Sequence, residues 1–159
     1  MKRLFCMKPK TASLVERIKI RNLRRGDLPA LEWEGEYIHF RRIFQSAFRS
    51  ANEGASVLWI AELPGSGLVG QLFVQLYSSR PELADGNLRA YIYGFRIRPA
   101  YRGQGIGTRM METAEEDLSR RGFSCVTLNV ARDNPDARRL YERLGYRVVA
   151  DEPGIWSYF

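Results

Sequence analysis

The residues best suited to chemistry lie together at Tyr101-Arg102-Gly103-Gln104-Gly105-Ile106-Gly107-Thr108, three glycines at alternate positions where a strand pattern gives way to a helix pattern. Glycine lets the main chain approach a ligand closely, and the free N–H groups at a helix start attract phosphate oxygens. An ordinary tight turn would also use glycine, but three at alternate positions exceed what a turn needs. A P-loop requires Lys and then Ser or Thr after its last glycine, whereas Gly107 is followed by Thr108 and Arg109. The dinucleotide fingerprint requires Gly or Ala at Thr108 and a parallel βαβ unit, where this chain has hairpins before the loop. The expected ligand is phosphorylated, but is held by neither of these motifs.

The elements that must position this loop follow from periodicity. Val15 to Arg21 alternates apolar and polar side chains and predicts a first strand. Asp27 and Pro29 predict a helix start, and Tyr37, Phe40, Phe44, Ala47 and Phe48 recur at helical spacing, giving one broken helix or two short ones. Most of the aromatic series Trp33, Tyr37, Phe40, Phe44 and Phe48 is expected in the core. Val57–Leu63 and Leu68–Tyr77 read as a hairpin around Pro64-Gly65-Ser66-Gly67, and Leu88–Arg98 as a third antiparallel strand ended by Pro99. Ile106, Met110, Ala114 and Leu118 mark one face of a helix that stops at Gly122. Cys125–Val130 is a strand. Asn134-Pro135-Asp136 starts a helix with an N-cap, a first-position proline and an acid facing the dipole, and Gly145 ends it. Tyr146–Ala150 and Ile155–Tyr158 read as closing strands.

With 159 residues, 45% hydrophobic and 27% charged, the chain fits one soluble domain spanning residues 1–159, with residues 1–13 as a flexible N-terminal extension. Cys6 and Cys125 lack metal-like spacing, so neither a zinc module nor a disulfide scaffold is expected. Lys8, Pro9 and Lys10 interrupt any signal-peptide core, and no apolar run approaches the roughly 20 residues of a membrane span. A cytoplasmic protein without a membrane partner is the expectation. The net charge of +7 calls for an anionic partner. Because the aromatics are not interleaved with basic residues along one strand, a specific nucleic-acid surface is not expected.

The pattern Arg102, two residues, Gly105, one residue, Gly107 resembles the acyl-CoA loop of the GNAT superfamily of N-acetyltransferases. Its companions are Phe95-Arg96-Ile97-Arg98-Pro99 before the loop, the helix start at Asn134, and Leu140-Tyr141-Glu142-Arg143-Leu144-Gly145-Tyr146. The resemblance implies an α+β domain with a central, mixed, mostly antiparallel sheet of about six to seven strands and about four helices, splayed between the fourth and fifth strands. It implies acetyl-CoA as co-substrate, no metal, and a small-molecule or peptide amine as acceptor. Main-chain N–H groups from Arg102, Gly103, Gln104, Gly105, Ile106, Gly107 and Thr108 would hold the pyrophosphate. Phe95 and Ile97 would pair with the pantetheine arm, Asn134 would contact it, and Tyr141 would be the general acid near the thioester sulfur. Asn134 has its N-cap duty in any case, and packing alone would explain Tyr141 beside Leu140 and Leu144.

The general base is where the chain departs from better-known members. Some carry a glutamate where Asn129 stands, and others a carboxylate on the strand before the loop, where Leu88–Arg98 has none. Glu32, Glu34, Glu36 and His39, and Tyr91 and Tyr93 acting through water, remain as candidates, each with a plainer role on a solvated or packed face. The base is therefore left unassigned, and a domain that binds CoA without catalysis is the second reading. The aromatic end at Trp156, Tyr158 and Phe159 and the late strands offer pairing with a second copy as a homodimer.

Overall fold

Two strands that read as nearly continuous apolar runs form the middle of the sheet, because both of their faces are covered. The computed structural model describes residues 4–6 and 11–151. Its elements are α1 (Leu14–Arg17), β1 (Lys19–Asn22), 3-10 segments at Arg25–Glu32 and Ile38–Phe40, α2 (Arg41–Asn52), β2 (Ser56–Leu63), β3 (Gly67–Gln75) and β4 (Arg89–Ile97). A 3-10 turn at Pro99–Tyr101 leads to α3 (Ile106–Arg120), β5 (Cys125–Leu128) and α4 (Pro135–Arg143). The strands lie in chain order, β1 to β5, each antiparallel to the next except β4 and β5, which are parallel.

Side-chain alternation sorts the core into two layers. On one face Val57, Ala61, Val69, Leu72 and Val74 meet Ile106, Met110, Met111, Ala114 and Leu118 of α3 and Tyr141 of α4. On the other, Leu58, Ile60, Leu68 and Phe73 meet Leu31, Phe44 and Ala47. Trp33 and Phe44 are buried, and Tyr37, Phe40 and Phe48 pack partly buried beside them, as expected of the aromatic series. Among the described residues no helix is long and apolar enough to cross a membrane.

Five expectations are corrected. The described residues hold five strands, short of six to seven. Tyr146–Ala150 forms no strand. Val148 and Val149 are 59% and 86% exposed, so no layer covers the alternation that suggested one. The segment Ile155–Tyr158 and the aromatic end lie outside the described residues. The first strand starts at Lys19, because the carboxylate of Glu16 accepts a hydrogen bond from Ser13 N–H (3.0 Å) and starts α1 instead. The fifth strand ends at Leu128, before Val130. The segment begun by Asp27 is 3-10 and contains Pro29, whose missing N–H cannot serve a longer helix.

Two irregularities shape β4. Its pairing with β5 runs only from Arg89↔Cys125 to Ile92↔Leu128, after which the two strands part. Its pairing with β3 goes from Phe73↔Tyr93 to Gln71↔Arg96, so Gly94 and Phe95 together oppose Leu72 in a β-bulge. Gly94 has φ +57°, and a Cβ there would stand 3.1 Å from Phe73 Cδ2. We expect Gly94→Ala to lower unfolding free energy in urea by roughly 1–3 kcal/mol, from left-handed strain and overpacking. Unchanged stability would contradict this bulge.

Asp27 ties the start of the 3-10 segment to the sheet. Its carboxylate accepts two hydrogen bonds from the Arg21 guanidinium (2.8 and 3.0 Å) and one from Arg24 N–H (2.7 Å). Hydrogen bonding to Arg21, foremost, holds its pKa below the usual carboxylate range. A depressed folded-state pKa stabilises above the unfolded value near 3.9, and that stability is lost as pH falls through the folded value. Asp27→Asn should therefore cost about 1 kcal/mol at pH 7, with the wild-type and variant curves converging in acid-titrated urea melts as the pH falls below the ordinary carboxylate range.

Candidate functional site

Where β4 leaves β5, a cleft of about 1330 Å³ opens through the sheet. One wall is β4 from Tyr91 to Ile97, and the other is Asn129–Ala131, Asn134 and the α4 residues Ala137, Leu140 and Tyr141. The glycine loop closes one end, and Tyr37, Phe40, Phe44 and Arg80 line the other. The structure thus brings together Phe95, Ile97, Arg102, Gly103, Gly105, Ile106, Gly107, Thr108, Asn134 and Tyr141. Gln104 is exposed and stands outside the lining.

The loop is built as its glycines require. Gly103 and Gly105 have φ +70° and +87°, and Gly105 is the N-cap of α3. The first i→i−4 bond of the helix is Arg109 N–H to the Gly105 carbonyl (3.1 Å), so the N–H groups of Ile106, Gly107 and Thr108 precede the helical ladder, and a glycine cap has no side chain to meet them. A Cβ on Gly107 would lie 3.2 Å from Phe95 Cζ and 3.5 Å from Leu140 Cδ2, so the helix entrance fits closely between β4 and α4. Arg102 Nε donates to the Ile97 carbonyl (2.8 Å), fastening the loop to the end of β4. Arg139 and Arg143 add positive charge to the lining.

On the facing wall, Asn134 Oδ1 accepts from Ala137 N–H (3.2 Å), the N-cap bond expected of it. Tyr141 is 9% exposed, with its ring 6.4 Å from Phe95 and 6.0 Å from Tyr146. Burial pushes its phenol up to about 12, so it stays protonated throughout the neutral range. Behind it, Tyr146 donates to Glu115 Oε1 (2.8 Å) and moors the end of α4 to α3.

The candidate bases do not gather in the cleft. Glu32 is paired with Arg41 and Glu34 with Arg98, and hydrogen bonding to those guanidinium groups holds both carboxylates below their usual range. Neither these two, Glu36 nor His39 lines the cleft. Tyr91 and Tyr93 do line it, stacked 5.9 Å apart. The Tyr91 hydroxyl accepts from Asn129 Nδ2 (3.3 Å), and burial pushes Tyr93 up to about 12. Among the described lining residues the one carboxylate is Asp136, in an ion pair with Arg139.

Gln71 and Arg96 also line the cleft, and the sequence reading gave neither a role. Gln71 is 2% exposed in the middle of β3. Its Nε2 donates to the Gly94 carbonyl (2.9 Å), and its Oε1 accepts from Arg96 (2.8 Å). The Arg96 guanidinium lies 3.9 Å from the Tyr37 ring and 4.3 Å from that of Trp33, and it also donates to the Leu31 carbonyl. The available signal was a glutamine inside the otherwise apolar run Leu68–Val74, which a buried strand admits only when its amide is satisfied.

Comparison with known proteins agrees with this geometry. A mycothiol acetyltransferase of Beutenbergia cavernae is 33% identical over 95 residues, covering 60% of this chain and 30% of that protein. An uncharacterized N-acetyltransferase, YycN of Bacillus subtilis, is 28% identical over 90 residues, covering 57% and 54%. The chain thus spans less than two thirds of the length of these curated relatives. A solved structure described as a transcriptional regulator from Bacillus halodurans C-125 superposes with a TM-score of 0.69 at 27% identity, covering 88% of this chain and 99% of that one. A predicted acetyltransferase from Clostridium acetobutylicum, solved with acetyl-CoA, shares the fold at a TM-score of 0.66 and 16% identity, covering 87% and 95%. The family model for the Acetyltransferase (GNAT) family matches residues 18–146, which include the splayed strands, the glycine loop and Tyr141, and the chain belongs to that family.

Proposed function

We propose that this domain transfers an acetyl group from acetyl-CoA to a primary amine by direct attack within a ternary complex. The observation that carries this reading is the through-sheet cleft, with a glycine-capped helix start at one end, the edge of β4 that β5 no longer pairs along its length and a buried phenol on its far wall. The fit to CoA rests on donor chemistry. The N–H groups of Gly103 through Thr108, together with the positive end of α3 and Arg102, suit a pyrophosphate. Main-chain groups of Phe95 and Ile97, left without a β5 partner, suit the amides of pantetheine, as does Asn134 Nδ2. The related Clostridium protein was solved with that ligand.

The reaction forms a nitrogen–carbon bond and breaks the carbon–sulfur bond. The amine nitrogen loses one proton, and the departing thiolate gains one. Tyr141 supplies the second. With its phenol pushed up to about 12 and a free thiol near 8.5, transferring the proton to a fully formed thiolate is uphill. Tyr141 therefore acts as a hydrogen-bond donor while the sulfur is still bonded to carbon and completes transfer as the bond breaks.

No carboxylate of the described lining is placed to take the amine proton. A lysine-like amine of pKa about 10.4 is neutral about once in 2,500 at pH 7, a cost of roughly 4.6 kcal/mol, against about 1.4 kcal/mol for an α-amine near 8. Arg96 at the acceptor end favours the neutral amine, Arg80 there being paired with Glu82 (2.7 Å). The amine is thus expected to enter deprotonated and release its second proton through water near Tyr91 and Tyr93.

A thiol-release assay with acetyl-CoA and a panel of amines and peptides tests the reading. Acetyl-CoA binding with no release for any acceptor would replace it with a CoA-binding domain that does not catalyse. Tyr141→Phe should lower kcat about 10²- to 10⁴-fold while leaving the KM for acetyl-CoA within about twofold. With an active acceptor, log(kcat/KM) should climb with unit slope up to the pKa of that amine. A plateau starting near pH 6 would instead reveal a base on the protein.

A further inference from the structure

The β4 bulge has a direction, and one buried side chain sets it. In a trans peptide the C=O and N–H groups point oppositely. Gln71 Nε2 holds the Gly94 carbonyl on the β3 side of β4 (2.9 Å). The N–H of the next residue, Phe95, therefore points away from the Gln71 amide. β5 pairing has already ended at Ile92↔Leu128 and the β3 register skips Gly94 and Phe95, so Phe95 lies outside both registers. Both ends of the Gln71 amide are used, since its Oε1 accepts from Arg96 (2.8 Å), so the amide cannot rotate without losing a bond to Arg96 or to Gly94. At 2% exposure no water replaces either bond.

We propose that Gln71 is a positioning residue for acyl transfer: by fixing the Gly94 carbonyl, it aims the Phe95 N–H into the cleft, at the thioester carbonyl oxygen. This rests on acetyl-CoA occupying the cleft as proposed above. When the amine adds to the thioester carbon, the carbonyl π pair moves onto oxygen, and the Phe95 N–H donates to that oxyanion. When the carbon–sulfur bond breaks, the pair returns to form the amide carbonyl, and the thiolate leaves with the Tyr141 proton. A preset donor needs no reorientation during the reaction. Gly94 is part of the device, because its left-handed φ of +57° turns the peptide and a side chain there would press on Phe73 and Gln71.

Gln71→Glu separates the two bonds. The carboxylate still accepts from Arg96 but has no proton for the Gly94 carbonyl. The probe is acetyl-CoA carrying ¹³C at the thioester carbonyl, followed by isotope-edited infrared spectroscopy. Bound to the wild type, the carbonyl band should move to lower frequency than in solution. In Gln71→Glu it should return toward the free position, with acetyl-CoA affinity within about threefold of wild type and kcat lower by about tenfold or more. Gln71→Met, nearly isosteric and able to make neither bond, should show the same return of the band toward the free position and serves if the Glu variant does not fold. A wild-type band at the free position, or the same shifted band in a folded Gln71 variant, overturns the role of Gln71 while leaving CoA binding intact. Failure of the wild type to bind acetyl-CoA overturns both readings.

Discussion

Everything at the site depends on the parting of β4 from β5. A sheet interior leaves no room for a ligand, because adjacent strands stand about 4.8 Å apart and satisfy each other's main-chain groups. Here the parallel ladder stops after four pairs, and β4 continues to Ile97 paired with β3 only. That leaves one edge of β4 without a neighbouring strand inside the molecule, where the Ile97 carbonyl is taken by Arg102 and the remaining outward main-chain groups call for a ligand or water. The cleft is held open from both sides. The bulge at Gly94 and Phe95 bends β4, and Pro99 with the 3-10 turn ends it, while α4 takes the chain away from β5.

The charge of the chain takes its place around this opening. Its arginines are mostly engaged in structure: Arg21 with Asp27 and Glu62, Arg41 with Glu32, and Arg98 with Glu34. Arg96 is held by aromatic faces and carbonyl groups more than by acids. The lining of the cleft therefore carries Arg96 at one end and Arg102 and Arg143 at the other, Arg80 and Arg139 being paired with Glu82 and Asp136, with backbone N–H groups adding to the field at the loop. Such a field draws an anionic co-substrate inward and disfavours a protonated amine.

How much of this was legible in the sequence follows from how local each feature is. The glycine loop, the Asn134-Pro135 helix start, the α3 stripe and the β2–β3 hairpin are written in residues near one another, and all of them form. The Asp27 segment was misread as α-helical because its outcome depends on Pro29 and on the Arg21 contact, which comes from the neighbouring strand. Tyr146–Ala150 alternates like a strand, but alternation specifies pairing only where one face is buried. The bulge could not be seen at all. It needs two residues of β4 to meet one of β3, a relation between strands roughly twenty residues apart, and its only local marks are Gly94 and the polar Gln71.

The second wall of the cleft has a different standing from the first. α4 contributes one buried residue, Tyr141, to the core, and the rest of its apolar hold is half-buried Ala137, the following Leu144, and Leu140 near Gly107. β4, by contrast, is anchored through β3 to the whole sheet. A helix so thinly attached has a local opening free energy well below that of the global fold. Any ligand that spans the cleft touches both walls, so part of its binding energy goes into seating α4, and ligand affinity and the local stability of α4 become two readings of one coupled equilibrium.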